Sequence, residues 1–331
     1  MIAMVLAAGH GTRLRPLTDR IAKPALPLLG DTLLGLNLAL VKGAGIDEVV
    51  VNAHHLSATV AAAAREAADR LSLRLHLSFE QPAPLGTGGA LVAARPLLDR
   101  GEPFLLLNGD VLTDIDPRAA IDAHRAAGAV ATMVLRQREP DAPYAPVEVD
   151  PEGWVARIAG LGREPRPGEA LRSFTFTGIH VLSPAIFEVL PAQGAACVNR
   201  QGHVQLIERG LPILGHVEEG GRWSDVGTPE RYREANLDLL EGRYRIAAAA
   251  GAEALRPGSG ALQAPTAVVE AGANLVAPCY VGADVKVRAG AKVGPRAVLL
   301  AGSEVRGEVR DTVVAPGAVV EPGRCEGRLV I

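Results

Sequence analysis

Directly after a short apolar run the chain reads Leu6-Ala7-Ala8-Gly9-His10-Gly11-Thr12-Arg13-Leu14-Arg15-Pro16, and Lys23-Pro24 follows ten residues after Arg13. Glycines at 9 and 11 let backbone N–H groups turn inward on an anion, while Arg13, Arg15 and Lys23 can offset charge on the scale of a triphosphate. Two other phosphate-binding loops are excluded. A Walker loop needs Gly-Lys followed by Ser or Thr, which is absent, and a dinucleotide fingerprint needs a third glycine where Leu14 stands.

This stretch resembles the signature of the sugar-1-phosphate nucleotidyltransferases, also called nucleotide-sugar pyrophosphorylases: L-A-A-G-x-G-T-R-L-x-P-L-T followed by P-K-P. Residues 6–18 match it throughout, and Ala22 replaces the first proline of the second element. Three further segments agree in order and spacing. Glu80-Gln81-Pro82-Ala83-Pro84-Leu85-Gly86-Thr87-Gly88-Gly89-Ala90 is similar to the family's base-recognition loop, Asn108-Gly109-Asp110 to its metal-binding Asp, and Trp223-Ser224-Asp225-Val226-Gly227-Thr228-Pro229-Glu230 to its second metal-ligand segment. Phe174-Thr175-Phe176-Thr177-Gly178-Ile179-His180-Val181 resembles the strand that contacts the sugar.

The resemblance implies a site. Arg13 and Lys23 would be its catalytic cations, and Leu6, Ala8, Gly9, Gly11, Thr12, Gln81, Gly86 and Thr87 would surround the nucleotide. Asn108, Gly109, Glu148, Thr177 and Gly178 would surround the sugar, with Asp110 and Asp225 as ligands of a Mg²⁺ cofactor. The reaction implied is attack by a sugar-1-phosphate oxygen on the α-phosphorus of an NTP, with pyrophosphate leaving in line. That nucleophile is already anionic near neutral pH, so positioning and charge neutralisation supply the acceleration. Many members carry an E-K-P element whose lysine grips the sugar phosphate. Here the stretch reads Gly162-Arg163-Glu164-Pro165-Arg166, so Arg163, Arg166 or Arg172 stands in for it, or the loop is merely solvated. His54 and His55 read as structural or supporting residues, because no third ligand accompanies them.

The loop Leu85-Gly86-Thr87-Gly88-Gly89 is similar to that of mannose-1-phosphate guanylyltransferases, whereas residues 108–116 and 174–188 are closer to N-acetylmuramate-1-phosphate uridylyltransferases. Those uridylyltransferases generally lack a β-helix, which favours GTP and a GDP-mannose type of product. Uridylyl transfer is the alternative, and a catalytically silent nucleotide-sugar-binding subunit is an alternative of another class. Acyl transfer, which other hexapeptide β-helices perform with a histidine base, is disfavoured because all eight histidines precede residue 217.

The elements that must hold these residues follow from patterning. Short apolar runs at residues 2–6, 48–51, 73–79 and 104–107 alternate with Ala- and Leu-rich stretches at 32–43 and 57–70. That rhythm predicts an α/β, Rossmann-like, mostly parallel sheet with helices on both faces, its ligands beyond the carboxyl ends of the strands. The catalytic domain is expected over 1–241, a linker rich in Ala, Gly and Pro over 242–263, and a second domain over 264–331. In the last, Val269, Leu275, Val281, Val287, Val293, Leu299 and Val305 are six apart, mostly with a small residue two positions before each. Such a period predicts a hexapeptide-repeat, left-handed parallel β-helix, whose register breaks at Asp311 and resumes at Val313 and Val319.

With 331 residues the chain has room for two domains. A net charge of −3 and 3% aromatic residues argue against a nucleic-acid partner, which would want a basic face and stacking rings. Apolar runs are too short for a membrane span, the start lacks a signal peptide's positive region, and three scattered cysteines suit a reducing cytoplasm. The β-helix carries eight basic and seven acidic residues after position 262, too balanced for a polyanion site, so association into a homo-oligomer or regulation is its expected role.

Overall fold

Ile2, Met4, Phe104 and Leu106 belong to one buried cluster while Ala3, Val5, Leu105 and Leu107 belong to another. Alternate residues of these runs therefore face opposite layers, as strands buried on both sides require. The structure, a computed structural model, describes residues 1–246 and 260–331. In chain order β1 (Ala3–Leu6), α1 (Leu33–Gly43), β2 (Glu48–Ala53), α2 (Ser57–Leu71), β3 (Arg74–Phe79), α3 (Gly86–Ala93) and β4 (Phe104–Asn108) build the first half. Their strands are all parallel, in the order β3–β2–β1–β4. The loops that carry the sequence motifs thus leave the sheet along one edge.

The second half is mixed. After β5 (Val111–Thr113) and α4 (Arg118–Ala127), β6 (Ala131–Gln137) pairs antiparallel with β7 (Arg172–Leu182), which also pairs antiparallel with β4. β8 (Ile213–Val217) extends the sheet parallel to β6, and β9 (Trp223–Asp225) pairs with β5. Helix α5 (Pro229–Leu240) opens on Thr228, whose side chain accepts from the Arg231 N–H, with Pro229 in the first turn. Among the described residues no helix is long and apolar enough to cross a membrane.

Residues 261–330 form three parallel sheets of short strands, the first being Ala261–Gln263, inside the stretch expected as linker. Residues 247–259 of that expected linker lie outside the described residues. Val281, Val287, Val293, Leu299 and Val305 are fully buried inside the coils, as the six-residue period requires. The break in that period is a shortened coil. Ala297 pairs with Cys279, eighteen positions back, but Thr312 pairs with Ala297 across only fifteen. Past Val305 the inward residues are Val309, Val314 and Val320, so the spacing already fails before Asp311, and Val314 and Val320 stand inward where the sequence reading had Val313 and Val319. Val319 is exposed and Val313 faces the other way. A tight corner at Gly307 makes the shortening possible: a Cβ there would lie 2.4 Å from the Gly323 carbonyl oxygen.

The outward face of the five-stranded sheet is not solvent. Val298, Leu300, Val313 and Ala315 belong to the same buried cluster as α1, α2 and the inner face of α5. At its rim Arg233 of α5 binds the carboxylate and carbonyl of Asp311, and Arg296 donates to Asp311 at 2.7 Å while pairing with Glu241. Asp311, where the sequence reading put the break, is the residue that the catalytic domain grips.

Three buried histidines are held neutral. His124 lies between Thr132 and Ser183, and burial lowers it to about 4. His180 and His203 stack with centroids 5.0 Å apart, burial taking His203 to about 4 and His180 well below its ordinary value.

Two outcomes follow. Leu300→Ala, at the seam between the domains, should cost about 2–5 kcal/mol and lower the calorimetric Tm by several degrees, whereas the exposed Val268→Ala should stay within about 0.5 kcal/mol. Equal effects would mean that the β-helix does not share the catalytic core. For the histidines, the unfolded chain takes up protons near pH 6.5 and the folded chain only near 4, so their contribution is complete above 6.5 and is lost as pH falls toward 4. Urea midpoints should fall across that window, and His203→Phe should flatten the fall.

Candidate active site

Three loops at the carboxyl edge are tied by two buried side chains. Asn52, at the end of β2, accepts from the Ala7 N–H at 2.7 Å and donates to Glu80 at 2.6 Å. The second oxygen of Glu80 accepts from the Leu85 N–H at 2.7 Å, and its backbone carbonyl meets His54 Nδ1 at 3.0 Å. Both residues are 2% exposed, so their polar atoms depend on one another. In the first loop Gly11 has φ +62°, a conformation glycine adopts freely, and an added Cβ would press on the Lys23 side chain at 3.0 Å.

Lys23 carries the charge at the centre. Its side chain is 8% exposed, and its ammonium lies 3.1 Å from Asp110 and 3.5 Å from Asp225. Asp110 follows β4 and Asp225 ends β9; the β5–β9 pairing and a Val226 N–H to Asp110 carbonyl bond of 3.2 Å bring them together. Arg231, in the first turn of α5, donates to Asp225 at 3.1 Å and to the Tyr144 hydroxyl at 2.6 Å. Burial, with the Asp225 charge beside it, raises the Tyr144 phenol above its ordinary range, so it stays protonated. Arg13 is mostly exposed, 3.9 Å from Asp225.

Two cavities meet here. One, of about 360 Å³, gathers Leu6, Ala8, Gly9, Gly11 and Thr12 of the first loop with Gly86 and Thr87 of α3. Arg13 and Lys23 also line it. The other, of about 480 Å³, lies against Thr177 and Gly178 of β7, Tyr144 and Trp223. Asn108 and Asp110 belong to both walls. A register shift in the β6–β7 pairing falls at Thr177–Gly178, and Gly178, at φ +86°, passes so near Asn108 that a Cβ would sit 3.0 Å from it. Thr177 itself donates to the Val134 carbonyl and accepts the Trp223 indole N–H through its own carbonyl.

Three expected residues are not at these walls. Gln81 is exposed while its neighbour Glu80 turns inward, Glu148 pairs with Arg157 on a short strand, and Gly109 serves backbone packing, donating to the Leu6 carbonyl at 2.9 Å. None of the arginines proposed for the missing lysine lines the second cavity: Arg163 is bound to Asp150 and Glu169, Arg172 lies over Phe174, and Arg166 is exposed. His54 and His55 do have a third histidine beside them, His10, at ring separations of 5.6 and 5.2 Å. Sequence reading missed Tyr144, Arg231, Asn52 and the inward turn of Glu80. Only Arg231 had a signal, its place three residues after a strong helix cap.

The donor set suits a hard divalent cation: two carboxylates from separate strands converge on one cationic position, and one of them is half exposed to incoming oxygens. Among the described residues the group of three carboxylates close enough to share an ion is Asp150, Glu152 and Glu169, but Arg163 already fills it, and its hydrogen bond holds the Glu169 carboxyl at about 2.

The chain is similar to several known proteins. The chain is 32% identical over 323 residues to a mannose-1-phosphate guanylyltransferase of Mycobacterium tuberculosis, covering 96% of this chain and 82% of that one. It is 33% identical to an N-acetylmuramate alpha-1-phosphate uridylyltransferase of Neisseria meningitidis, covering 71% of this chain and 96% of that one. A UTP–glucose-1-phosphate uridylyltransferase of Synechocystis is 28% identical over 93% of this chain and 82% of its own. Among solved structures HddC from Yersinia pseudotuberculosis shares the fold, with a TM-score of 0.58 at 20% identity over 71% of this chain and 97% of that one. The Nucleotidyl transferase family model matches residues 2–242, and the chain belongs to that family.

Proposed function

We propose that the protein joins an NTP to a sugar-1-phosphate, forming a nucleotide sugar and releasing pyrophosphate, with guanylyl transfer to mannose-1-phosphate as the first reading. The observation that carries the reaction is the pair of cavities that share Asn108 and Asp110, with a buried cation between two carboxylates at the junction. The first cavity suits a nucleotide, its Gly-rich loop and Arg13 facing the phosphates. The second suits the sugar. Substrates placed so would bring a phosphate oxygen toward the α-phosphorus without a covalent intermediate.

The residues divide the work by charge. Mg²⁺ held by Asp110 and Asp225 would neutralise phosphate oxygens when bound. Lys23, released from that carboxylate pair, would hold the α-phosphate and the incoming phosphate, and Arg13 would meet the charge that develops on pyrophosphate. Arg231 and Tyr144 keep Asp225 oriented. Guanylyl transfer is supported by the Mycobacterium relative, whose match runs through the β-helix. Uridylyl transfer is the second reading, favoured by the Synechocystis relative, which also matches over both domains. The three free cysteines agree with a cytoplasmic setting. A homo-oligomer, if it uses the β-helix, would pack through the two sheets that do not face the catalytic domain.

The test is a panel of NTPs against sugar-1-phosphates with Mg²⁺, following pyrophosphate. Asp110→Asn and Asp225→Asn should each lower turnover on the favoured pair by roughly a hundredfold or more, the scale of losing an electrostatic group that acts in the transition state. Unchanged turnover in both would remove the two-carboxylate assignment. Arg13→Ala should depress kcat more than it raises KM, whereas Lys23→Ala should impair both; an Arg13→Ala effect on KM alone would make Arg13 a uniform-binding residue.

A further inference from the structure

The arginines around the sugar-side cavity do not line it and are engaged within the protein. Arg136 donates to the Trp223 carbonyl and lies over its ring. Arg138 binds the Tyr144 and Ala142 carbonyls, Arg163 binds two carboxylates, and Arg231 binds Tyr144 and Asp225. Arg200 differs. It lines the cavity wall, is exposed, and among the described residues has no hydrogen bond or ion pair.

Its neighbour Asn199 lines the same wall and has a buried side-chain oxygen, Oδ1, with no partner. Native structures rarely leave such an acceptor unsatisfied. Both residues sit on one turn of π-helix, Val198–His203, a form that recurs at functional sites. The turn is firmly held: the Val198 N–H donates to Thr87 of the nucleotide-side cavity at 2.9 Å, and wholly buried His203 stacks on His180 behind it. An unpaired guanidinium at the cavity wall is thus carried by a rigid element, next in sequence to an unpaired amide oxygen buried behind that wall.

We propose that this turn reads the sugar-1-phosphate: Arg200 binds an oxyanion of that substrate. The assignment rests on the nucleotidyl-transfer reading and supplies the cation that the missing lysine would have given. The oxyanion has two sources, the phosphate itself or a carboxylate borne on the ring, and planar bidentate pairing with Arg suits either.

The sources separate in a calorimetric titration without NTP, using full-length wild type, Arg200→Gln and Arg200→Lys. Probes are mannose-1-phosphate, glucose-1-phosphate, glucuronate-1-phosphate and inorganic phosphate. Arg200→Gln should weaken binding of the sugar-1-phosphates that wild type binds by about tenfold or more, with partial recovery in Arg200→Lys. A loss that includes inorganic phosphate and neutral sugars identifies the phosphate as the source; a loss confined to glucuronate-1-phosphate identifies the ring carboxylate. Steady-state KM for the sugar-1-phosphate should follow the same pattern while KM for the NTP stays within about twofold, because Arg200 does not line the nucleotide cavity. Unchanged affinity for every probe, in a variant with wild-type Tm, overturns the assignment. Turnover failing with every NTP while Arg200→Gln still weakens binding would instead remove the transfer reading and leave this one standing.

Discussion

An ammonium group buried to 8% exposure has to be surrounded by negative charge, and Lys23 finds it in Asp110 and Asp225. Leaving such a charge unpaired would cost several kcal/mol, so the loop after β1, the end of β4 and the β9 strand are constrained to meet at one point. Much of the second half of the fold serves that meeting. β9 lies against β5 so that position 225 reaches position 110, and α5 starts where it does so that Arg231 can hold the far oxygen of Asp225. Lys23 and Arg231 meet the two carboxylates within the protein, and in the proposed reaction substrate phosphates and a divalent ion would exchange partners with groups already placed.

The same junction explains why two cavities suffice. Asn108 and Asp110 form a common wall, fixed from behind by Gly109 and Gly178, whose missing side chains let three backbone segments approach. A Cβ on Gly109 would lie 2.5 Å from the Leu6 carbonyl oxygen. Close packing here is what sets the separation of the two cavities, and in the proposed reaction small errors of position at a reacting phosphate would be expensive in rate.

Much of this was legible in the sequence, for a physical reason. The anion loop is local: its glycines, arginine and lysine lie within a span of fifteen residues, so their types and spacing carry the chemistry. The interior of the β-helix is legible because one residue in six repeats a steric requirement. What escaped depends on contacts across long separations. Tyr144 meets Arg231 across 87 positions, and neither lies in a motif. Glu80 and Gln81 are adjacent and similar, and only the Asn52 side chain, 28 positions away, decides which one turns inward. The antiparallel course of β7 was hidden too, since its apolar pattern is equally good in either direction. Asp311 showed as a fault in a repeat, but not as a contact for Arg233.

The β-helix is fastened along its flank. Strands 279–281, 297–299, 312–314 and 329–330 stack in order on the sheet that faces the catalytic domain, and α5 touches the last three. A stack held this way works as a ruler: each coil added past residue 330 would lengthen the molecule by one strand spacing, about 4.8 Å, without moving the phosphate loop. Insertion inside the stack would have the opposite effect, sliding Asp311 out of reach of Arg233. Reach can vary by whole coils added beyond the stack, whereas the coils beside α5 are fixed in number.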